Sequence, residues 1–239
     1  MSLGRHVLDF FFPPGCPVCD RPGKQPGLCA PCLSQIPPVR SPLCPVCGIP
    51  FPGQGPDHHC SRCLARRPRY AQARACAVYH GGDPDHPLAR ALHRYKYGRD
   101  VTLARTLGEL LLTRCPVPVT HDLLVPVPLH LRRLRWRGFN QALLLTRPLA
   151  QRCGARLDPF VLARTRPTSP QVGLDEAARR RNIAGAFAVR DPAVVRRRSV
   201  LLIDDVYTTG ATVEECARVL RRAGASRVDV LVLARAVLQ

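Results

Sequence analysis

Lysine is nearly missing from this 239-residue chain: only Lys24 and Lys96 stand among its 36 basic side chains. Carboxylates are scarce as well, 17 in all, which leaves a formal net charge of +19. A GC-rich coding bias accounts for arginine in place of lysine, but not for the missing acids. An imbalance of this size fits a polyanionic partner such as nucleic acid, phosphate esters or an anionic membrane surface. Long apolar runs are lacking too. No stretch approaches the roughly 18 to 20 residues that a spanning helix requires, so membrane insertion is not expected. The opening "MSLGRHVLDFFFPPGC" does not read as a signal peptide, because Asp9 interrupts its apolar patch and Pro13-Pro14 follow at once. A reducing cytoplasm is the simplest expected setting. With 46% apolar and 22% charged residues, the composition is that of a globular chain, long enough for one large domain or two modest ones.

Cysteine, by contrast, is abundant. Eight of the twelve cysteines form four Cys-x-x-Cys pairs: "CPVC" (16–19), "CAPC" (29–32), "CPVC" (44–47) and "CSRC" (60–63). Each such turn aims two thiolates at one ion, and two turns complete a tetrahedral all-cysteine site. Eight ligands make two structural zinc sites. The simplest pairing follows sequence order, Cys16, Cys19, Cys29 and Cys32 for one ion and Cys44, Cys47, Cys60 and Cys63 for the other; the spacing also allows a crossed pairing. His58 and His59, just before Cys60, read as a solvated pair. A segment this poor in large apolar groups draws folding energy from the metal. Cys76, Cys115, Cys153 and Cys216 are scattered and read as small buried residues.

The composition changes near residue 70, which divides the chain into a cysteine-rich module (1–70) and a second domain (71–239). In the second part strand-like and helical patterns alternate. "ACAVY", "DLLVPVPL" (122–129), a stretch around Phe160 to Ala163, 200–203 and "RVDVLVLARAV" read as strands. "HPLARALHRYKYG", "VTLARTLGELLLTRC", "FNQALLLTRPLAQRCG", a short segment within 174–182 and 212–223 read as helices. Pro148 predicts a kink or break in its helix. The alternation implies an α/β fold, a mostly parallel sheet with helices on both faces and ligands beyond the carboxyl ends of its strands.

One such end is the string "SVLLIDDVYTTGAT" (199–212). "VLLI" suits a strand buried on both faces. Two adjacent carboxylates, Asp204 and Asp205, can accept hydrogen bonds from a vicinal diol or help to hold hydrated Mg2+. The threonines and backbone N–H groups of "TTGAT" converge at a helix N-terminus, which is a phosphate cradle. A diol beside a phosphate describes a ribose 5-phosphate. The two acids alone suit a plain strand-to-helix turn; the whole string does not. Arg137, Asn140 and Gln141 follow the strand that ends near Leu129, and their pattern fits a polar first helical turn as well as a ligand site. Lys96 suits a role for a compact ammonium, or a solvated helix position.

The string closely resembles the phosphoribosyl-diphosphate (PRPP) motif of type I phosphoribosyltransferases. That resemblance implies that Asp204 and Asp205 contact the ribose hydroxyls and that Thr208, Thr209, Gly210, Ala211 and Thr212 hold the 5-phosphate. It also implies a diphosphate loop after an earlier strand, for which "PVPLH" (126–130), with Pro128 and Leu129, is the candidate. Mg2+ would accompany PRPP. "LHRYKYGRD" (92–100), "RWRGFNQALLL" (135–145), "RTRPTSPQVGLDEAARRRNIAGAFAV" (164–189) and the cysteine-rich front are similar to the ComF (ComFC) family of competence proteins. The similarity runs from about Phe10 to Ala236. It implies a double zinc ribbon joined to a phosphoribosyltransferase-like domain, acting in natural transformation on incoming single-stranded DNA in the cytoplasm.

Under this resemblance Arg137, Asn140, Gln141, Gln171, Arg179 and Asn182 become ligand contacts, together with Lys96. Arg179 and Asn182, three apart, share one helix face. Arg133, Arg135, Arg180 and Arg181 supply a basic surface for nucleic acid, with Trp136 as a stacking platform. Two other functions are consistent with the same residues. One is an active phosphoribosyltransferase acting on a nucleobase, an amine or a DNA-linked acceptor; no catalytic residue stands out for it. The other is a zinc-ribbon adaptor that docks onto a competence helicase or recombination protein.

Overall fold

The computed structural model describes residues 15–23, 27–80, 83–114, 120–168 and 175–237. Gln171 and Cys115 lie outside these ranges. The elements in chain order are α1 (Ala30–Ser34), α2 (Ser61–Ala65), β1 (Ala73–His80), α3 (Pro87–Tyr97), α4 (Leu103–Thr113), β2 (Leu123–Pro126), α5 (Leu131–Arg137) and α6 (Gln141–Cys153). They continue with β3 (Arg156–Leu157), β4 (Leu162–Arg164), α7 (Glu176–Ile183), β5 (Phe187–Val189), α8 (Pro192–Val195), β6 (Ser199–Tyr207), α9 (Ala211–Arg222) and β7 (Arg227–Val237).

Five strands form one parallel sheet in the order β1-β7-β6-β2-β3. Successive side chains of a strand point to opposite faces. On β6 and β7, Leu201, Ile203, Leu231 and Leu233 therefore pack with α3, α4 and α6, whereas Val200, Leu202, Val230 and Val232 pack with α9. Both faces are covered, which is why these strands read as unbroken apolar runs. β4 and β5 form a separate antiparallel pair, and β5 and α7 pack on α9.

The cysteine-rich segment straddles the edge strand β1. Cys16, Val18, Cys32 and Ile36 join the core on the α3 side, while Cys44, Val46, Cys47, Cys63 and Tyr70 join the core on the α9 side. Between them the chain covers the sheet edge: Ala73 N donates to Val46 O at 2.7 Å, and Val78 N donates to Pro37 O at 3.1 Å. An edge that would otherwise expose unpaired backbone groups is closed.

β2 and β6 are neighbours, but the chain leaves them toward opposite faces, to α6 after β2 and to α9 after β6. That divergence is a topological switch point, where a parallel sheet opens a crevice beyond its carboxyl ends. The strand β6 is longer than its apolar run, so Asp204 and Asp205 sit in its second half, and Asp204 is still in register with Val232. The "LRRLRWR" stretch is a helix, α5, closed by Gly138. α6 continues past Pro148. The Pro148 ring lies where Gly108 of α4 leaves room, since a Cβ on Gly108 would come within 2.8 Å of Pro148 Cγ. No helix among the described residues is long and apolar enough to cross a membrane.

Candidate functional site

The eight paired cysteines gather into two clusters, Cys16, Cys19, Cys29 and Cys32, and Cys44, Cys47, Cys60 and Cys63, with the sulfurs of each lying within 4.8 Å of one another. The pairing is sequential, not crossed. Cys19 Sγ lies 3.5 Å from Cys29 Sγ, and Cys47 Sγ lies 3.6 Å from Cys60 Sγ. Zn–S bonds of about 2.3 Å in a tetrahedron give S–S edges of about 3.8 Å, so both sets fit zinc. Burial opposes ionisation of Cys16 and Cys44, but backbone N–H groups of the adjoining turns outweigh it and bring these thiols to about 6 and about 7. Each cluster has its full four protein ligands, which suits structural zinc. His58 stacks on Phe51 at 3.9 Å between ring centres and is not part of either set.

The crevice between β2 and β6 is a cavity of about 410 Å³. Asp204 and Asp205 line it from β6, Thr208 from the following turn, Thr212 from the first turn of α9, and Pro128 and Leu129 from the turn after β2. Lys96 enters from the last turn of α3, Arg133 and Arg137 from α5, Asn140 and Gln141 from the start of α6, and Arg179 from α7. Residues from segments far apart in the sequence thus meet at one place.

Charge in this cleft is unevenly satisfied. Lys96 Nζ lies 3.0 Å from Asp205 Oδ1. Burial, then the neighbouring Asp205, pushes the Asp204 carboxyl up to about 7. Burial lowers the guanidinium pKa of Arg137, and Asp205 partly restores it. Arg137 and Gln141 are only 6% and 2% exposed, and Arg137 Nε and Gln141 Nε2 have no hydrogen-bond partner among the described residues. Buried donors of this kind are costly unless a ligand or water completes them. Asn140 differs: its Nδ2 donates to Val127 O at 3.1 Å, and its Oδ1 accepts from Leu143 N at 3.5 Å, capping α6.

Thr209, Gly210 and Ala211 face another way. They line a second hollow, of about 310 Å³, with Arg62, Arg66, Arg180 and Arg181. Asn182 lines neither cavity, although Arg179 on the same helix lines the first. Trp136 is half exposed, and Arg99 and Arg137 stand 5.4 and 5.9 Å from its ring centre. Arg135 is exposed beside it. A groove of about 350 Å³ along Trp136, His130 and Arg132 shares Arg133 and Arg164 with the cleft. Sequence reasoning missed Arg164, His93 and Tyr97 as lining residues. Arg164 has another buried Nε without a partner among the described residues and stacks 5.3 Å over Phe187; it opens the 164–189 stretch, but nothing in that stretch singles it out from the other arginines.

Two family models match: a double zinc ribbon domain over residues 7–78 and a phosphoribosyl transferase domain over residues 141–237. The chain is 36% identical to the DNA utilization protein YhgH of Salmonella typhi, across 87% of this chain and 90% of that protein. It is 34% identical to competence protein F of Haemophilus influenzae, across 88% and 91%. The chain belongs to the ComF family. Competence protein ComFC of Bacillus subtilis is a more distant ComF relative, 29% identical across 82% of this chain and 79% of that protein. The fold is accordingly α/β, with the parallel sheet of a phosphoribosyltransferase-like domain behind a double zinc ribbon.

Proposed function

We propose that this ComF protein binds PRPP, or a related ribose phosphate, with Mg2+ in the β2/β6 cleft, and that it handles single-stranded DNA in the cytoplasm during DNA uptake. The observation that carries the reading is one cavity joining an acidic pair to Thr208 and Thr212 of the strand-to-helix turn, beside buried donors without partners among the described residues. Asp204 and Asp205 accept hydrogen bonds from the ribose diol. Thr208 and Thr212, at the positive end of α9, receive the 5-phosphate from the cleft side, with the backbone N–H groups of the turn between them. The turn holding Pro128 and Leu129 receives the diphosphate, and Arg137, Gln141 and Arg179 neutralise or bond its oxygens. Two adjacent carboxylates suit a hydrated Mg2+, which when bound offsets diphosphate charge.

Titration calorimetry with PRPP, with and without Mg2+, tests the ligand. A saturable signal lost in Asp205→Asn supports the site, and no binding overturns it. The exposed Arg135, Trp136 and Arg180 belong to the DNA reading, which is tested by affinity for a single-stranded oligonucleotide at rising salt. Each neutralised phosphate releases a counterion, so affinity falls steeply with salt; constant affinity rejects nucleic acid as the partner.

The groove that continues from the cleft past Arg133 and Arg164 favours a second reading, transfer of the phosphoribosyl group to an acceptor lying along it. Diphosphate release from PRPP, assayed across bases, amines and single-stranded DNA, separates transfer from binding alone.

A further inference from the structure

The turn that carries the second cysteine cluster reaches the loop after β6 through one arginine. Arg62 lies between the ligand positions Cys60 and Cys63, on α2. Its Nη2 donates to the backbone oxygen of Thr209 and lies 3.4 Å from the Tyr207 hydroxyl. Tyr207 is buried, shares a 2.7 Å hydrogen bond with Tyr70, and carries Arg235 3.9 Å above its ring. Arg235 in turn donates to Cys47 O at 2.6 Å and lies 3.8 Å from Cys47 Sγ. Two arginines thus bind the loop and its supporting tyrosine to the same cysteine cluster.

In a trans peptide the carbonyl and the next N–H point in opposite directions. Holding the Thr209 carbonyl toward Arg62 therefore turns the Gly210 N–H away from Arg62. We propose that Arg62 is a positioning residue for the phosphate loop, presented by the CSRC turn so that the Thr209–Gly210 peptide offers its N–H to the 5-phosphate of the sugar ligand. The inference rests on the ribose-phosphate reading of the cleft. It gives the zinc ribbon a part in binding that no contact between Arg62 and ligand is needed to explain.

The test uses the full-length protein and two probes, ribose 5-phosphate for the loop and inorganic diphosphate for the opposite end of the cleft. Arg62→Ala is expected to weaken ribose 5-phosphate by about tenfold, the loss of one charge-assisted hydrogen bond. Diphosphate affinity, zinc content and thermal midpoint stay close to those of the parent. Arg66→Ala, in the same hollow, leaves both affinities unchanged. Arg62→Lys keeps a cation but not the forked geometry, and is expected to recover only part of the loss; it also serves if the alanine variant folds poorly. An equal loss for both probes, or no loss for either, overturns the proposal while leaving the cleft reading intact. Failure of the parent protein to bind either probe removes the cleft reading and this inference with it.

Discussion

Lys96 Nζ sits 3.0 Å from Asp205 Oδ1 and ties the last turn of α3 to the acidic end of β6. Both side chains are mostly buried, 21% and 14% exposed, so the pair is less screened than a surface ion pair. The ammonium occupies the carboxylate face on which a divalent cation would act. On the proposed reading of the cleft, lysine and Mg2+ would compete for Asp205. Lys96→Met should bind Mg2+ about tenfold more tightly in the absence of sugar ligand, the effect of removing one neighbouring charge worth about 1.4 kcal/mol. Trp136 is the single tryptophan of the chain and stands near the cleft rim, so its fluorescence can report the titration. Unchanged or weaker Mg2+ binding would show that the two cations do not share Asp205.

Asp204 carries the pH signature of the site. Its carboxyl is raised from 3.8 to about 7 by burial and by Asp205. A raised carboxylate contributes stability that is full below its unfolded value and is lost as the pH climbs through the folded value. The loss accumulates between about 3.8 and about 7 and is complete above. Asp204→Asn stays neutral throughout, so its stability advantage over the parent should grow across that window and then level off, at on the order of 4 kcal/mol. Urea unfolding at several pH values measures it. A constant difference at all pH values would mean that Asp204 ionises normally.

Zinc removal should reach the sheet and not only the ribbon. Each cysteine cluster belongs to one of the two cores that sandwich the sheet, through Ile36 on one face and Tyr70 on the other. Chelation is expected to release two zinc ions per chain and to lower the main thermal transition, by several kcal/mol of lost folding energy. Zinc analysis beside scanning calorimetry decides this. A metal-free protein with an unmoved main transition would show that the ribbon detaches without consequence.

Much of this was legible in the sequence, for reasons that differ by residue. The CxxC turns and the string from Val200 to Thr212 are local devices, in which neighbouring residues serve one ligand, so spacing alone reveals them. Lys96 stood out only because lysine is rare. Its contact with Asp205 joins residues 109 positions apart and depends on how α3 crosses the sheet. Arg62 and Arg164 were hidden for the same reason, each being one arginine among many until tertiary packing selects it. Pro148 does not break α6, although a proline removes a helix hydrogen bond, because packing on Gly108 and flanking Leu145 and Leu149 holds the helix together. The helix α5 is not among the segments that read as helices from sequence, because five of its seven residues are Arg or Trp and its apolar side is confined to Leu131 and Leu134. Asn140 was legible as polar and site-adjacent, but its cap on α6 appears only once the helix start is fixed.

Gly210 offers the sharpest test of the phosphate loop. Its φ is +79°, in the left-handed region, and a Cβ there would lie 2.2 Å from the Tyr207 hydroxyl and 2.3 Å from its ring carbon Cζ. Any side chain must therefore displace a tyrosine that is itself held by Tyr70 and by Arg235. Gly210→Ala combines backbone strain of about 1 to 3 kcal/mol with that steric conflict. Tyr207→Phe in the same chain should not restore it, since removing the hydroxyl leaves Cζ in the way. The expected result is a protein that keeps both zinc ions but loses ribose 5-phosphate binding by at least about tenfold, at a stability cost of about 2 kcal/mol or more. Calorimetry of the ligand beside thermal unfolding measures both quantities. If Gly210→Ala bound ribose 5-phosphate as well as the parent, the turn after β6 would not be where the phosphate rests.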